Sequence, residues 1–141
     1  MCGFAGGMWL HSVIPDPVAT GQSMIQRIRH RGPDDSGVWC DDRAGIMLAH
    51  ARLSIVDLSP AGHQPMQSAC GRYVIVFNGE IYNHLNLRQA LGAHVAYRGH
   101  SDTETLLAAF VAWGVEATLQ KLVGMFALAL WDCEQEVLYL A

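Results

Sequence analysis

Residues 73–77 read Tyr-Val-Ile-Val-Phe, a run of β-branched and aromatic side chains with no polar interruption. Such a strand has no face to offer to water and is typically covered on both sides. The remainder of the chain supplies the covers. Residues 3–9 read as a first buried strand whose small residues let another layer approach closely. Asp16-Pro17 starts a helix, with the carboxylate at the cap and proline at the first helical position. Val18, Met24, Ile25 and Ile28 stripe that helix before Gly32-Pro33 ends it. Residues 36–40 and 46–53 read as strands across an Asp41-Asp42-Arg43 turn, and 125–131 with 137–140 as a hairpin. Residues 59–70 read as a loop. Short helices are expected over 83–91, closed by Gly92, and over 115–122. Ser101-Asp102-Thr103-Glu104 is a capping box opening a helix that carries Leu106, Leu107, Phe110 and Trp113. Helices at intervals among hairpin-like strands indicate an α+β architecture: layered antiparallel sheets with helical covers.

The chain has 141 residues, enough for one domain with an ordinary core. Charged residues make up 16%, low against the quarter or so of a usual globular domain. Either the core is generous or some apolar surface is meant to be covered. The net charge of −4 recommends neither nucleic acid nor an anionic membrane as partner. Apolar runs such as 125–131 are far too short to span a bilayer. The N-terminus lacks the basic flank and apolar stretch of a signal peptide. A cytoplasmic location is therefore expected. The four cysteines, Cys2, Cys40, Cys70 and Cys133, form no C-x-x-C pair and read as free thiols. The histidines lack metal spacing; His30, His63, His94 and His100 read as loop or surface residues, and no metal is expected.

The opening MCGFAGG places a thiol at a terminus, where chains usually fray. If Met1 is removed, Cys2 carries a thiol and a free α-amine on one residue. The thiol is a strong nucleophile with a pKa near 8.5, and the amine titrates at about 7.7–8.0. The amine can take the thiol proton and later deliver it to a leaving amine, a variant of the triad logic. An ordinary buried cysteine after a start methionine is an equal alternative.

Four further sites carry a double reading. Asn78-Gly79 is, taken alone, a two-residue hairpin turn; the other reading is an oxyanion hole built from the Asn78 amide and the Gly79 N–H. Arg52 ends the strand AHARLSIVD and needs a carboxylate, either an internal one such as Asp57 or that of a ligand. Asp102 either favours a helix N-terminus through its dipole or binds a ligand ammonium. Glu80 either shares that task or faces solvent. Together these groups describe an α-amino acid with a side-chain amide.

MCGFAGG, HRGPDDSG, RLSIVDLSPAGHQPM, FNGEIYNH, SDTETLL and GMFALALWD occur in the order found in asparagine synthetases of the glutamine-hydrolysing type. Over essentially its whole length the chain resembles their glutaminase domain, a class II glutamine amidotransferase domain with the N-terminal-nucleophile hydrolase fold. The resemblance implies a four-layer αββα sandwich of two antiparallel sheets covered by helices. It implies hydrolysis of L-glutamine to glutamate and ammonia, with Cys2 as nucleophile and its α-amine as base. Asn78 and Gly79 would form the oxyanion hole. Arg52 would hold the glutamine α-carboxylate, and Asp102, with Glu80, the α-amino group. Leu53, Ser54, Ile55 and Val56 would wall the pocket. HRGPDDSG resembles a family loop near the site and receives no catalytic step. Ala51 stands where the family often has an arginine, so no second basic contact is expected there.

The family continues past LYLA into the rest of this domain and an ATP-dependent synthetase domain. On that resemblance residues 1–141 are expected to be a C-terminally incomplete glutaminase domain. Its partners would be glutamine and the synthetase domain, which would amidate aspartate or another acceptor. No cofactor is expected here, with ATP and Mg²⁺ confined to the synthetase domain. The strand left without its neighbours would favour self-association, up to a homodimer. The rival expectation is a non-catalytic module that retains the fold.

Overall fold

The computed structural model describes residues 2–9, 14–55 and 59–141. In chain order its elements are β1 (Gly3–Met8), α1 (Pro17–Ile28), β2 (Asp35–Asp41), β3 (Ile46–Arg52), β4 (Met66–Gln67) and β5 (Tyr73–Ile81). There follow α2 (His84–Leu91), α3 (Asp102–Trp113), α4 (Val115–Leu119), β6 (Gly124–Asp132) and β7 (Val137–Leu140). Short 3₁₀ turns occupy Arg29–Arg31 and Pro60–Gly62.

Local chemistry sets the boundaries. The Asp16 carboxylate accepts from Ala19 N at 2.9 Å and Pro17 opens α1. Asp41 Oδ1 accepts from Arg43 N and Ala44 N and so turns β2 into β3. Ser101 Oγ accepts from Glu104 N, the first half of the expected capping box. The Glu104 carboxylate accepts from Arg98 N and Gly99 N, which fixes the loop leading into α3.

The strands form two antiparallel sheets, ordered β1-β3-β2 and β4-β5-β6-β7. Alternation of side chains then builds three apolar layers. On β3, Met47, Ala49 and Ala51 meet Ile25 of α1, whereas Ile46 and Leu48 point at the second sheet. On β5, Val74 and Val76 meet them there, joined by Ala129 and Trp131 of β6. Tyr73, Ile75 and Phe77 point the other way, against Leu106, Leu107 and Phe110 of α3. Fully burying one such side chain is worth about 1.5–3 kcal/mol. The order is helix, sheet, sheet, helices, the αββα sandwich. Among the described residues no helix is long and apolar enough to cross a membrane.

One local expectation is overturned. Asn78-Gly79 is not a hairpin turn: β5 runs straight through it, with Asn78 opposite Ala127 and Gly79 opposite Phe126. Pairing with a strand far away in sequence overrides the local turn preference. A Cβ on Gly79 would run into the Met125 carbonyl and Phe126 Cα, so glycine is what lets β6 lie this close.

His50, on β3 between the sheets, is fully buried and its Nε2 donates to Phe77 O at 3.1 Å. Burial lowers its pKa to about 4, and Arg52 and His63 add to this against the Phe77 hydrogen bond and Asp35. The unfolded chain, with an ordinary histidine, binds the proton first as pH falls. Stability from this group is therefore whole above about pH 6.5 and lost as pH drops towards 4. In urea titrations between pH 7 and 4, the stability gap between wild type and His50→Gln should shift against wild type by up to about 3 kcal/mol. A pH-independent gap would contradict the assignment.

Candidate active site

β1 is antiparallel to β3, so the start of one and the end of the other lie side by side, with Gly3 opposite Ala51. The far end of β5 and the start of α3 arrive at the same place. Between them lies a cavity of about 200 Å³ lined by Cys2, Arg52, Leu53, Ile55, Asn78, Gly79, Glu80 and Asp102. Its size suits a small metabolite better than a drug-sized ligand, which takes roughly 300–1,000 Å³. Eight of the residues singled out in sequence thus converge on one hollow. Ser54 is not among the lining residues, because its N–H turns back to Asp34 Oδ2 at 2.8 Å. Val56 and Asp57 lie outside the described residues, as does Met1.

The backbone of β5 gives the cavity its chemistry. Even-numbered residues of β5 bond to β6, so the N–H groups of 73, 75, 77, 79 and 81 face the other edge. Tyr73 N donates to Ser68 Oγ, and Ile75 lies opposite Met66 of β4. Beyond the short β4, side chains take over: Phe77 N donates to Gln64 Oε1 at 2.7 Å, and Ile81 N to Asp102 Oδ2 at 2.9 Å. Between these two capped donors sits Gly79, whose N–H meets no acceptor among the described residues. Asn78 Oδ1 next to it is buried without a partner. Unpaired buried polar groups are costly. Gly79 lies on the exposed stretch of β5, and its N–H is a donor open to a ligand oxygen on a cavity that also holds a thiol.

The Cys2 Sγ is half-buried and accepts from Leu53 N at 3.3 Å, with Leu53 O at 3.5 Å. The HRGPDDSG loop, unassigned in the sequence, holds this corner in place. Arg31 Nε donates to Cys2 O at 3.0 Å, and Asp34 N to Arg52 O at 3.0 Å. Asp35 Oδ2 sits 2.7 Å from His63 Nδ1 and 4.0 Å from Arg52 Nη1. Arg52 itself is buried and donates to Ser59 O at 3.1 Å. Its guanidinium lies against Gly62, where any Cβ would collide with Nη2.

Asp102 stands at a helix N-terminus and on the cavity wall at once. It is the first residue of α3, with Oδ1 accepting from Thr103 N at 2.8 Å, and it also faces the cavity. Arg88 of α2 fixes its approach by donating to Thr105 Oγ1, Gly99 O and Ser101 O, with Tyr97 stacked 3.9 Å from the guanidinium. Gln64, Gly62, Phe77 and Thr103 also line the cavity and were not anticipated. A glutamine in a proline-containing loop reads as solvated; only the strand edge it caps reveals its task. Ile55, Tyr82 and Met125 rim the mouth, exposed by 69%, 59% and 69%. Among the described residues no group of three His, Cys, Asp or Glu is placed to hold a metal ion.

A family profile described as a glutamine amidotransferase domain matches residues 1–141. The chain is 41% identical over 142 residues to glutamine-hydrolyzing asparagine synthetase 1 of Bacillus subtilis, covering 99% of this chain and 22% of that protein. It is 47% identical over 109 residues to glutamine-hydrolyzing asparagine synthetase B of Escherichia coli, covering 77% and 19%. The chain thus spans about a fifth of the length of the curated relatives it matches.

The thiols also differ in environment. Burial pushes Cys40 and Cys133 up, the nearby Asp42 and Asp41 adding to it, whereas the Ser68 hydroxyl bonded to exposed Cys70 draws that thiol down. A simple alkylating agent should therefore label Cys70 well ahead of Cys40 and Cys133 by peptide mass spectrometry. Reaction at Cys70 with a generic reagent says nothing of the cavity; a diazoketone shaped like glutamine should label Cys2 instead. Diazoketone label mainly on Cys70 would refute Cys2 as the cavity nucleophile.

Proposed function

The chain belongs to the family of glutamine amidotransferase domains, and from that premise we propose that it hydrolyses L-glutamine to glutamate and ammonia at Cys2. The ammonia would serve ATP-dependent amide formation of the asparagine-synthetase type in a synthetase domain of the same protein, with ATP and Mg²⁺ belonging to that domain. Residues 1–141 act as the glutaminase domain in this reading, which needs no cofactor for its own step. The observation that carries it is the Gly79 N–H, on a stretch of β5 that faces the cavity Cys2 also lines and without an acceptor among the described residues.

Glutamine enters with its α-carboxylate towards Arg52 and its α-ammonium towards Asp102 and Glu80. Its side-chain carbonyl then meets the thiol. With Met1 removed, the Cys2 α-amine takes the thiol proton as sulfur bonds to the amide carbon, and the oxyanion is received by the Gly79 N–H and the Asn78 side-chain amide. The proton passes to the leaving nitrogen, the carbon–nitrogen bond breaks, and ammonia departs. Water then attacks the thioester to give glutamate and restore the thiol. Retained Met1 would block both base and nucleophile, so an intact mass lacking Met1 belongs with activity.

Glutamate release by the purified protein tests this reading directly. Asn78→Ala should lower kcat by about 10²–10³ with KM nearly unchanged, as expected for one lost oxyanion donor. Arg52→Lys should instead raise KM, since an ammonium cannot reproduce the bidentate fork. An unchanged KM would make Arg52 a structural partner of Ser59 and Asp35. Absence of glutamate release from protein with a free Cys2 amine would overturn the reading.

A further inference from the structure

Two buried polar side chains beside the cavity have no part in the steps above: His50 and Gln64. Both close on the backbone of one residue, Phe77. Phe77 immediately precedes Asn78, and its N–H and C=O face the same free edge of β5. Gln64 Oε1 accepts the N–H at 2.7 Å, and His50 Nε2 donates to the C=O at 3.1 Å. One grip comes from the loop before β4, the other from β3 of the opposite sheet.

The chemistry of each grip fixes its orientation. A carbonyl oxygen only accepts, so the proton of the neutral His50 ring is on Nε2. Nδ1 is then a bare acceptor, buried and without a partner. Leaving such a group unpaired is costly, a cost that an apolar residue packed between the sheets would not carry. Packing therefore does not account for the imidazole, whereas its hold on Phe77 O does. In the same way Gln64 must turn Oε1 towards Phe77, which leaves Nε2 to reach Thr103 Oγ1 at 3.4 Å, one residue beyond Asp102.

We infer that His50 and Gln64 are positioning residues that hold the Phe77 backbone at both its N–H and its C=O and thereby aim the Asn78 amide and the Gly79 N–H. The inference rests on the glutaminase reading of the cavity. A shift of the Phe77 backbone would carry the Asn78 Cα and the 78–79 peptide with it, and so move both donors off the oxyanion. Oxyanion donors work within 2.7–3.1 Å of their target, and misplacement by about 1 Å can cost 10²-fold. The clamp acts on the transition state and leaves the carboxylate and ammonium contacts of Arg52 and Asp102 alone.

The test is steady-state glutamine hydrolysis by purified wild type, His50→Leu, His50→Gln and Gln64→Leu. The two leucine variants should lose at least about tenfold in kcat with KM within about twofold. His50→Gln, which can offer an amide N–H to the same oxygen, should recover most of the loss. Nitrogen-15 NMR of the wild-type ring at pH 7 should show the neutral tautomer with the proton on Nε2, a readout that needs no variant to fold. Unchanged kcat in both leucine variants, losses shared equally with KM, no rescue by His50→Gln, or a proton on Nδ1 would each overturn the clamp. Those outcomes with an active wild type leave the glutaminase reading standing; a wild type that releases no glutamate overturns both.

Discussion

An antiparallel strand shows its N–H groups to alternate edges, and every one of them that is buried must find an acceptor. On β5 this rule decides where chemistry can occur. β4 is only two residues long and covers part of the free edge; Ser68, Gln64 and Asp102 lend oxygens to the rest, and Gly79 is left over. The acceptor side chains come from a loop and from the first turn of α3, so capping the strand also draws the walls of the cavity together around the uncapped position. Asp102 is at once a helix-terminal residue, a strand cap and a cavity wall.

The layers were legible in the sequence because they follow from side-chain periodicity alone. Tyr73 to Phe77 needed cover on both faces, and it has α3 on one side and β3 on the other. The caps at Asp16 and Ser101 were equally readable, since a side chain and a nearby N–H are close in sequence. Asn78-Gly79 was not: its local preference is a turn, and only the distant partner Gly124–Asp132 makes it a strand. Gln64 and His50 were hidden for the same reason. Their roles are defined by Phe77, which a loop position or a strand position does not announce.

The residues of the candidate site were legible together because, read as a set, they describe one ligand's complement, and the fold brings them to one cavity. The supporting loop was silent. HRGPDDSG contributes Arg31 to the Cys2 carbonyl, Asp34 to Ser54 N and Asp35 to His63. None of these contacts touches the space where a substrate would sit. Each instead holds backbone that would otherwise be free to drift at the ends of β1 and β3, where rigid placement matters most.

The pairing of β5 with β6 also sets an order of events. Cys2 and β1 can join β3 as soon as the chain is complete to Arg52, since the strand pairing of their sheet draws on nothing later. The Asn78–Gly79 register, in contrast, exists only when Gly124–Asp132 lies alongside it. Contacts this distant in sequence form late, after the entropy of closing a long loop has been met. A chain emerging from the ribosome therefore carries Cys2 long before the cavity beside it can form, and β6, made much later, decides when it does.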